Sequence, residues 1–274
     1  MYQCSLCHHH CRLEEGRTGM CRVRTLKEGR NTCGNYGLLT SLAVDPIEKK
    51  PLNRFHPGSL ILSVGSYGCN LRCSFCQNFS ISQRDLSSFN PECIPPERLA
   101  RKALDLQDVG NIGIAFTYNE PLLSYEYIID AGKMIHSVGM KNVVVTNGNF
   151  SVEVAKELAG IVDAYNIDLK CFSAESYRKL GGDLETVKAF ITEAVKTAHV
   201  ELTTLIVPGF NDSKAEMEKL STWIASLSPD IPLHVSKFFP HYNLVDRPET
   251  PTERVYALAD VARRHLNHVY TGNC

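Results

Sequence analysis

Short apolar runs alternate with longer amphipathic stretches through most of the chain after residue 59. Runs of four to eight apolar residues bounded by turn residues are typical of buried strands, and a 3.6-residue period is typical of helices. Predicted strands lie at 60–64, 112–116, 142–145, 162–169, 201–207, 232–235 and 268–270. Predicted helices lie between them, at 96–110, 122–138, 151–160, 173–198 with a break at 181–182, 213–227, and from 251 onward. This order predicts a parallel sheet covered by helices, open or closed into a barrel.

About six strand–helix units precede the last predicted strand, fewer than the eight of a complete TIM barrel. The chain ends directly after that strand, at Cys274, so the barrel is expected to be truncated or capped by something further. Capping boxes at 213–216 and 250–253 predict the starts of the last two helices.

Composition divides the chain into three parts. Residues 1–35 form a small cysteine-rich metal-binding module, residues 36–58 a connector, and residues 59–274 the barrel. Prolines and charged residues interrupt regular elements, so the connector is predicted to be irregular. Its run Glu48-Lys49-Lys50 either covers the sheet or presents charge to a substrate.

Three cysteines follow the first strand of the barrel, with the spacing C-x3-C-x2-C at Cys69, Cys73 and Cys76. A [4Fe–4S] cluster normally takes four thiolates. Three cysteines without a nearby fourth would leave one iron open to a small molecule, as in catalytic metal sites. The alternative is that three ordinary cysteines fall at this spacing by chance.

A second set of cysteines lies at the start of the chain, at Cys4, Cys7, Cys11 and Cys21. Four soft ligands within about 20 residues are enough for a closed tetrahedral zinc site or for a second cluster. No flanking residues resemble an electron-transfer ferredoxin loop, which favours zinc. A metal would stabilise a module too small to bury a core of its own.

Polar residues stand at successive predicted strand ends, where parallel α/β folds carry their chemistry. One such group is typical of an ordinary turn, but five in succession at one edge are hard to explain by packing. The candidates are Tyr118, Asn119, Glu120, Thr146, Asn147, Asp168, Lys170 and His241.

Charge and composition exclude several classes of partner. Lys and Arg number 29 and Asp and Glu 30, so nothing points to nucleic acid or a membrane surface. The N-terminus lacks the apolar region of a signal peptide, which predicts a cytoplasmic protein. Clustered cysteines in a reducing compartment are metal ligands or redox groups before they are disulfides.

The cysteine loop, with Phe75 directly before its last cysteine, resembles the signature of radical S-adenosylmethionine (SAM) enzymes. That resemblance implies a partial (β/α)6 barrel, a [4Fe–4S] cluster on the three cysteines, and SAM bound through its methionine part to the open iron. It implies SAM contacts from Phe75 and from the candidates at the strand ends. Glu120 would accept from the ammonium, Asn147 and Thr146 would bond the carboxylate or ribose, Lys170 would balance charge beside Asp168, and His241 would contact the ribose or transfer a proton.

A resemblance over nearly the whole chain is to radical SAM proteins of the AmmeMemoRadiSam system. It rests on the N-terminal cysteines, residues 45–52, 68–78 and 117–121, and Phe238-Phe239-Pro240. The chain is also similar to the pyruvate formate-lyase activating enzyme, but Val145 stands where that activase has Asp, and Tyr118-Asn119-Glu120 replaces its Gly-Gly-Glu.

The resemblances imply a 5′-deoxyadenosyl radical that abstracts hydrogen from a substrate not identified by the sequence. A glycyl-radical activase is the alternative within this class, and a non-catalytic iron–sulfur or zinc protein that binds a partner is the alternative outside it. The implied partners are a one-electron donor such as flavodoxin or ferredoxin, and a protein substrate or accessory proteins.

Overall fold

The computed structural model describes all 274 residues. The strands are β1 (Tyr2–Gln3), β2 (Arg12–Leu13), β3 (Arg24–Lys27), β4 (Arg30–Cys33), β5 (Leu38–Leu39), β6 (Ser41–Pro46), β7 (Leu60–Gly65), β8 (Glu92–Cys93), β9 (Asn111–Phe116), β10 (Lys141–Thr146), β11 (Ala164–Asp168), β12 (His199–Ile206), β13 (Leu233–Lys237) and β14 (Val269–Gly272). The helices are α1 (Phe79–Ser82), α2 (Pro96–Leu104), α3 (Tyr125–Ser137), α4 (Val152–Glu157), α5 (Ala174–Lys179), α6 (Leu184–Ala194), α7 (Lys214–Leu227) and α8 (Thr252–Ala262). Short 3-10 turns lie at Ile47–Lys49, Leu86–Ser88, Gln107–Val109 and Pro121–Ser124.

The main sheet has eight strands in the order β14-β13-β12-β11-β10-β9-β7-β6. All neighbours from β7 to β14 are parallel. Helices connect each pair of parallel strands, as parallel connections require. β14 and β6 stand at opposite edges, so the sheet is open. This α/β architecture, six strand–helix units and a final strand, confirms the predicted partial (β/α)6 barrel.

The prediction that residues 36–58 are irregular is wrong for its first half. β6 pairs antiparallel with all six residues of β7. β6 is largely exposed and ends at Pro46, and an edge strand tolerates a residue without an N–H. The prolines and charges that suggested a loop are therefore compatible with an edge strand.

The residues that follow β6 run across the inner face of the main sheet. Ile47 and Leu52 are fully buried and pack with Ile61, Ala115, Val143 and Ala164 from four neighbouring strands. The backbone N–H groups of Asn53 and Arg54 donate to Glu201 in β12, at 3.0 and 2.8 Å. This segment covers one side of the barrel interior. Its residues therefore form part of the wall of the cavity described below.

The two predicted capping boxes behave differently. Ser213 caps α7, because its hydroxyl accepts from the N–H of Glu216 at 3.1 Å. The box at Thr250 is wrong, because α8 begins at Thr252 and its N-cap is Pro251. Thr250 is instead buried and links the ends of two strands, since its hydroxyl donates to the carbonyl of Ile206 and accepts from the N–H of Phe238.

The N-terminal residues fold as two small antiparallel pairs, β1 with β2 and β3 with β4. Their buried side chains, Leu6, Leu13, Val23 and Leu26 among them, belong to the same hydrophobic core as the barrel strands. Arg24 in β3 forms a bidentate ion pair with Glu126 in α3, with both N–O distances 2.6 Å. None of the helices combines the length and the apolar character needed to cross a bilayer.

Candidate active site

A polar cavity of about 700 Å³ opens at the carboxyl ends of the parallel strands. That volume is typical of a site for small molecules. Eleven of the predicted site residues line it, namely Cys69, Cys73, Phe75, Cys76, Tyr118, Asn119, Glu120, Thr146, Asn147, Asp168 and Lys170. The strand-end rule thus brings together side chains from four strands that are up to 101 residues apart in the chain.

The cysteine loop follows β7 directly, and hydrogen bonds to neighbouring strand ends fix its path. The Asn119 amide donates to the carbonyls of Tyr67 and Gly68, at 3.0 and 3.2 Å, and its oxygen accepts from the N–H of Ser66 at 2.9 Å. Every polar atom of the Asn119 side chain is therefore bonded to the loop backbone. Contact of Asn119 with SAM stays a prediction, and the bonds in the structure show that its side chain positions the loop.

Asn147 also supports the loop. Its amide donates to Asn70 at 2.8 Å and points at the sulfur of Cys69 at 3.6 Å. The N–H of Leu71 lies 3.3 Å from the same sulfur. N–H groups aimed at a buried sulfur stabilise its anionic form, so Cys69 is prepared to act as a thiolate ligand.

Cys73 is buried and Cys69 is half-buried, and their surroundings oppose ionisation of both thiols unless a positive partner is present. Burial raises the pKa of Cys69 well above its ordinary value. Burial also raises the pKa of Cys73 to about 11, although the positive charge of Lys170 opposes this. No group of three or more Cys, His, Asp or Glu side chains stands ready-made in metal-coordination geometry. The chemistry of the donors nevertheless fits a cluster, because three soft ligands share one short loop and one cavity.

Glu120 is a buried carboxylate, 1% exposed, at the end of β9. It accepts from the Thr146 hydroxyl at 2.7 Å and from the N–H groups of Asn147 and Leu122, at 2.8 and 3.1 Å. Burial outweighs these bonds and raises its pKa to about 7. An ionised carboxylate has about four acceptor positions, so one remains for a ligand in the cavity. A cation there would favour the ionised form.

Asp168 and Lys170 form an ion pair of 2.8 Å at the end of β11. Asp168 raises the pKa of Lys170 against the opposing effect of burial, so the ammonium stays charged. The pair gives the cavity wall a fixed positive group near Cys73, held in place by its carboxylate partner.

Phe75 and His241 were predicted from the same resemblance but lie in different surroundings. Phe75 is buried, lines the cavity, and packs edge-on against Phe210 with the ring centres 5.8 Å apart. His241 is not among the cavity-lining residues. Its Nε2 lies 3.1 Å from the carbonyl oxygen of Gln77, which directly follows Cys76 and lines the cavity.

A second group of lining residues centres on Asp45, which sequence patterns did not single out. Lys50, 3% exposed, reaches the cavity from the segment after β6 and pairs with Asp45 at 2.9 Å. Tyr118, whose φ is +71°, donates from its hydroxyl to Asp45 at 2.8 Å. Glu48-Lys49-Lys50 line the cavity, so of the two interpretations of this run, placement beside a bound molecule fits the structure.

The far wall of the cavity was not predicted either. It is lined by polar side chains of β11 to β14: Asn166, Thr203, His234, Ser236, Tyr270 and Thr271. Behind it, Glu201 is fully buried and accepts from His199 and His234, at 2.9 and 2.7 Å. The alternation of Glu201 with Thr203 along β12 was the available signal, because polar residues at every second position of a central strand indicate a polar interior.

The fold and the site are those of an α/β barrel with a cavity that could hold a thiolate-bound cluster and a small molecule beside it. The family model described as "Radical SAM superfamily" matches residues 63–223. The chain therefore belongs to the radical SAM superfamily, and the family implies a [4Fe–4S] cluster and SAM.

Relatives agree with this assignment. An uncharacterized protein of Methanocaldococcus jannaschii is 38% identical over 280 residues, which cover 99% of this chain and 81% of that protein. The pyruvate formate-lyase-activating enzyme of Clostridium pasteurianum is 26% identical over 165 residues, 58% of this chain and 67% of the enzyme. The structure of Streptococcus suis SuiB bound to S-adenosylmethionine matches with a TM-score of 0.60 at 14% identity, covering 78% of this chain and 52% of SuiB. The chain is thus related to glycyl-radical activating enzymes and shares the fold of SuiB.

Proposed function

We propose that this protein is a radical SAM enzyme that abstracts hydrogen from a polar substrate. When bound, the reduced cluster and SAM supply methionine and a 5′-deoxyadenosyl radical. The observation that carries the proposal is that the three loop cysteines, Glu120 and the Asp168–Lys170 pair line one cavity. A cluster carrier would need the cysteines but not this arrangement of charged groups around them.

The residues of the chain divide into ligands, binding groups and supports. Cys69, Cys73 and Cys76 would hold the cluster as thiolates. Glu120 would accept from the ammonium of SAM in a charge-assisted hydrogen bond. Lys170 offers positive charge to the carboxylate of SAM. Both groups are largely buried, and electrostatic interactions are stronger away from water than in it.

Two residues would act on SAM indirectly, through Glu120. Asn147 and Thr146 hydrogen-bond Glu120 and fix the direction of its carboxylate. Asn147 also joins the carboxylate to the cysteine loop through Asn70. The loop and the SAM-binding carboxylate are therefore held in one hydrogen-bonded unit, which keeps cluster and cofactor in a constant relation.

The substrate would occupy the far wall of the cavity. Near it, Lys50 is already paired with Asp45 at 2.9 Å, and Nε2 of His234 is hydrogen-bonded to Glu201 at 2.7 Å. Asn166 and Thr203 hydrogen-bond each other, so the hydroxyl groups of Ser236, Tyr270 and Thr271 are the ones left for a substrate. This wall suits a polar substrate group recognised by hydrogen bonds.

Two kinds of substrate stay open within this class. Modification of the AmmeMemoRadiSam type is favoured by the resemblance of residues 45–52, which form part of the cavity wall. Activation of a glycyl-radical enzyme is favoured by the relationship to the Clostridium pasteurianum activating enzyme. A one-electron donor such as flavodoxin or ferredoxin is required in either case.

The test is anaerobic cleavage of SAM. The cluster is reconstituted, dithionite and SAM are added, and 5′-deoxyadenosine is measured. We expect production in the wild-type protein and in Cys93→Ser, whose cysteine is exposed and outside the cavity, and none in Cys73→Ala. A reduced, intact wild-type cluster that cleaves no SAM, alone or with candidate partners, would refute the proposal in favour of a non-catalytic metal protein.

A further inference from the structure

The four N-terminal cysteines surround a second, separate cavity. Cys4, Cys7, Cys11 and Cys21 line it together with Leu6, Leu13 and Leu123. Its volume is about 10 Å³, the space of roughly one water-sized sphere. Three of the four cysteines are buried and none forms a disulfide. The spacing C-x2-C-x3-C-x9-C has therefore folded into a single enclosed, sulfur-lined pocket.

The backbone around the pocket is arranged for metal thiolates. The N–H of Cys4 donates to the carbonyl of Cys11 at 2.9 Å, which closes a tight loop around Cys7. The N–H of Arg24 lies 3.4 Å from the sulfur of Cys21, and the Asn31 amide lies 3.5 Å from that of Cys4. Donors aimed at sulfur stabilise thiolates and orient metal ligands.

We propose that Cys4, Cys7, Cys11 and Cys21 bind a single Zn²⁺ as four thiolates. Zinc prefers four thiolate ligands in tetrahedral array, and a site with four protein ligands is closed and structural. The pocket as it stands has room for one ion, and a four-iron cluster would require it to open further. The sulfurs are not in coordination geometry in the structure, so binding requires the cysteine side chains to rotate. Gly19 leaves space beside one of them, because a Cβ there would lie 3.4 Å from the Cys11 sulfur.

The zinc module also contacts the loop that would hold the radical SAM cluster. A Cβ at Gly68 would lie 2.7 Å from the carbonyl oxygen of Cys21 and 2.5 Å from Val23, so the two loops meet without a side chain between them. His9 Nε2 lies 2.8 Å from the carbonyl of Asn70, the residue after Cys69. On the proposed function, the zinc ion therefore braces the cluster loop from behind, and it takes no part in hydrogen abstraction.

The zinc site is tested in a chain that cannot bind the first cluster. Cys69, Cys73 and Cys76 are replaced by Ala, and metals are measured after anaerobic purification. We expect about one zinc per chain, as for a closed site, and almost no iron. Adding Cys4→Ser and Cys7→Ser should remove the zinc, and adding Cys93→Ser should not. Iron with sulfide in place of zinc, or no bound metal, would overturn the proposal.

A second measurement covers the case in which the Cys4→Ser, Cys7→Ser variant does not fold. Co²⁺ replaces zinc in the chain that retains all four N-terminal cysteines. We expect the intense visible absorption of tetrahedral cobalt together with a thiolate-to-cobalt band in the near ultraviolet. Weak, octahedral absorption would overturn the proposal.

The bracing role is tested in the chain with Cys69, Cys73 and Cys76 intact. The double variant Cys4→Ser, Cys7→Ser should bind less iron per chain after reconstitution and should lose its cluster faster when a chelator is added. The control Cys93→Ser should match the wild-type protein in both measurements. An unchanged cluster in the zinc-free variant would overturn the bracing role. This outcome is distinguishable from failure of the proposed function, which would appear as an intact wild-type cluster that does not cleave SAM.

Discussion

Replacing Glu120 by Gln removes a charge from the buried carboxylate while keeping its shape. The wild-type group accepts three hydrogen bonds and has one acceptor position left. A hydrogen bond to a charged group contributes about 1.5–3 kcal/mol. Loss of the charge should therefore weaken SAM binding by about 10- to 150-fold, if the ammonium of SAM is the fourth partner.

The pH dependence of binding follows from the raised pKa. Burial holds the pKa of Glu120 at about 7, above the ordinary 4.5. The protonated carboxyl therefore stabilises the fold fully below about pH 4.5, and this contribution is lost as the pH rises to about 7. At 1.36 kcal/mol per pH unit, the free energy of unfolding loses about 3 kcal/mol over this range. A bound cation prefers the ionised form, so SAM affinity should rise between about pH 6 and pH 8.

The assay is equilibrium binding of SAM to the protein with an oxidised cluster, measured anaerobically by calorimetry across that pH range. Glu175→Gln is the control, because Glu175 lies on the exposed surface of α5, pairs with Lys179 and does not line the cavity. We expect Glu120→Gln to bind weakly with no rise over this range, and the control to behave as wild type. Equal affinity in Glu120→Gln, or an unchanged pH dependence, would refute the assignment of Glu120 to SAM.

Three further predictions concern stability and the cluster loop. Gly68→Ala places a methyl group against Val23 at a φ of +87°, whereas Gly139→Ala, the control, has a similar φ and open space around it. Gly68→Ala should therefore lower the free energy of unfolding in denaturant by about 1–3 kcal/mol more than Gly139→Ala. Equal losses would contradict close packing at Gly68. Burial alone would raise the pKa of Glu201, but its hydrogen-bond partners lower the pKa to about 2. Ionised Glu201 should therefore contribute about 3 kcal/mol to the free energy of unfolding above pH 4.5, and this contribution is lost towards pH 2. Glu201→Gln should remove this acid sensitivity. Asn119→Ala leaves loop backbone groups unpaired, each at about 1–3 kcal/mol, and should lower reconstituted iron per chain; normal iron would show that the loop holds itself.

Local patterns were sufficient to predict the barrel and one half of its site. The strand ends and the cysteine spacing are readable within a few residues, and parallel pairing then forces the ends together. The edge strand β6 and the Lys50–Asp45 pair could not be predicted from local sequence patterns. They depend on pairing between Ser41–Pro46 and Leu60–Gly65 and on a side chain entering the barrel from outside the strand–helix repeat.

Residue roles were harder to predict than residue positions. Asn119 lines the cavity as expected, but its amide is wholly engaged with the loop backbone. His241 follows a strand end by a few residues, yet Pro240 and the turn after it carry the ring outside the cavity. A motif fixes where the chain reaches a site, whereas hydrogen-bond partners distant in sequence decide which atoms stay available to a ligand.

The pairing of charges around the cavity limits the chemistry of the substrate. The SAM carboxylate would share Lys170 with Asp168, and a second anionic group in the cavity would need a cation of its own, because taking charges from water is repaid only by direct pairing. Here Lys50 is paired with Asp45, and Nε2 of His234 is hydrogen-bonded to Glu201, before any substrate binds. An anionic substrate would have to compete with these carboxylates. A neutral group with hydroxyl or amide functions would not, and could bond the free side chains of β13 and β14 directly, so hydrogen-bonding groups and not net charge should select the substrate of this enzyme.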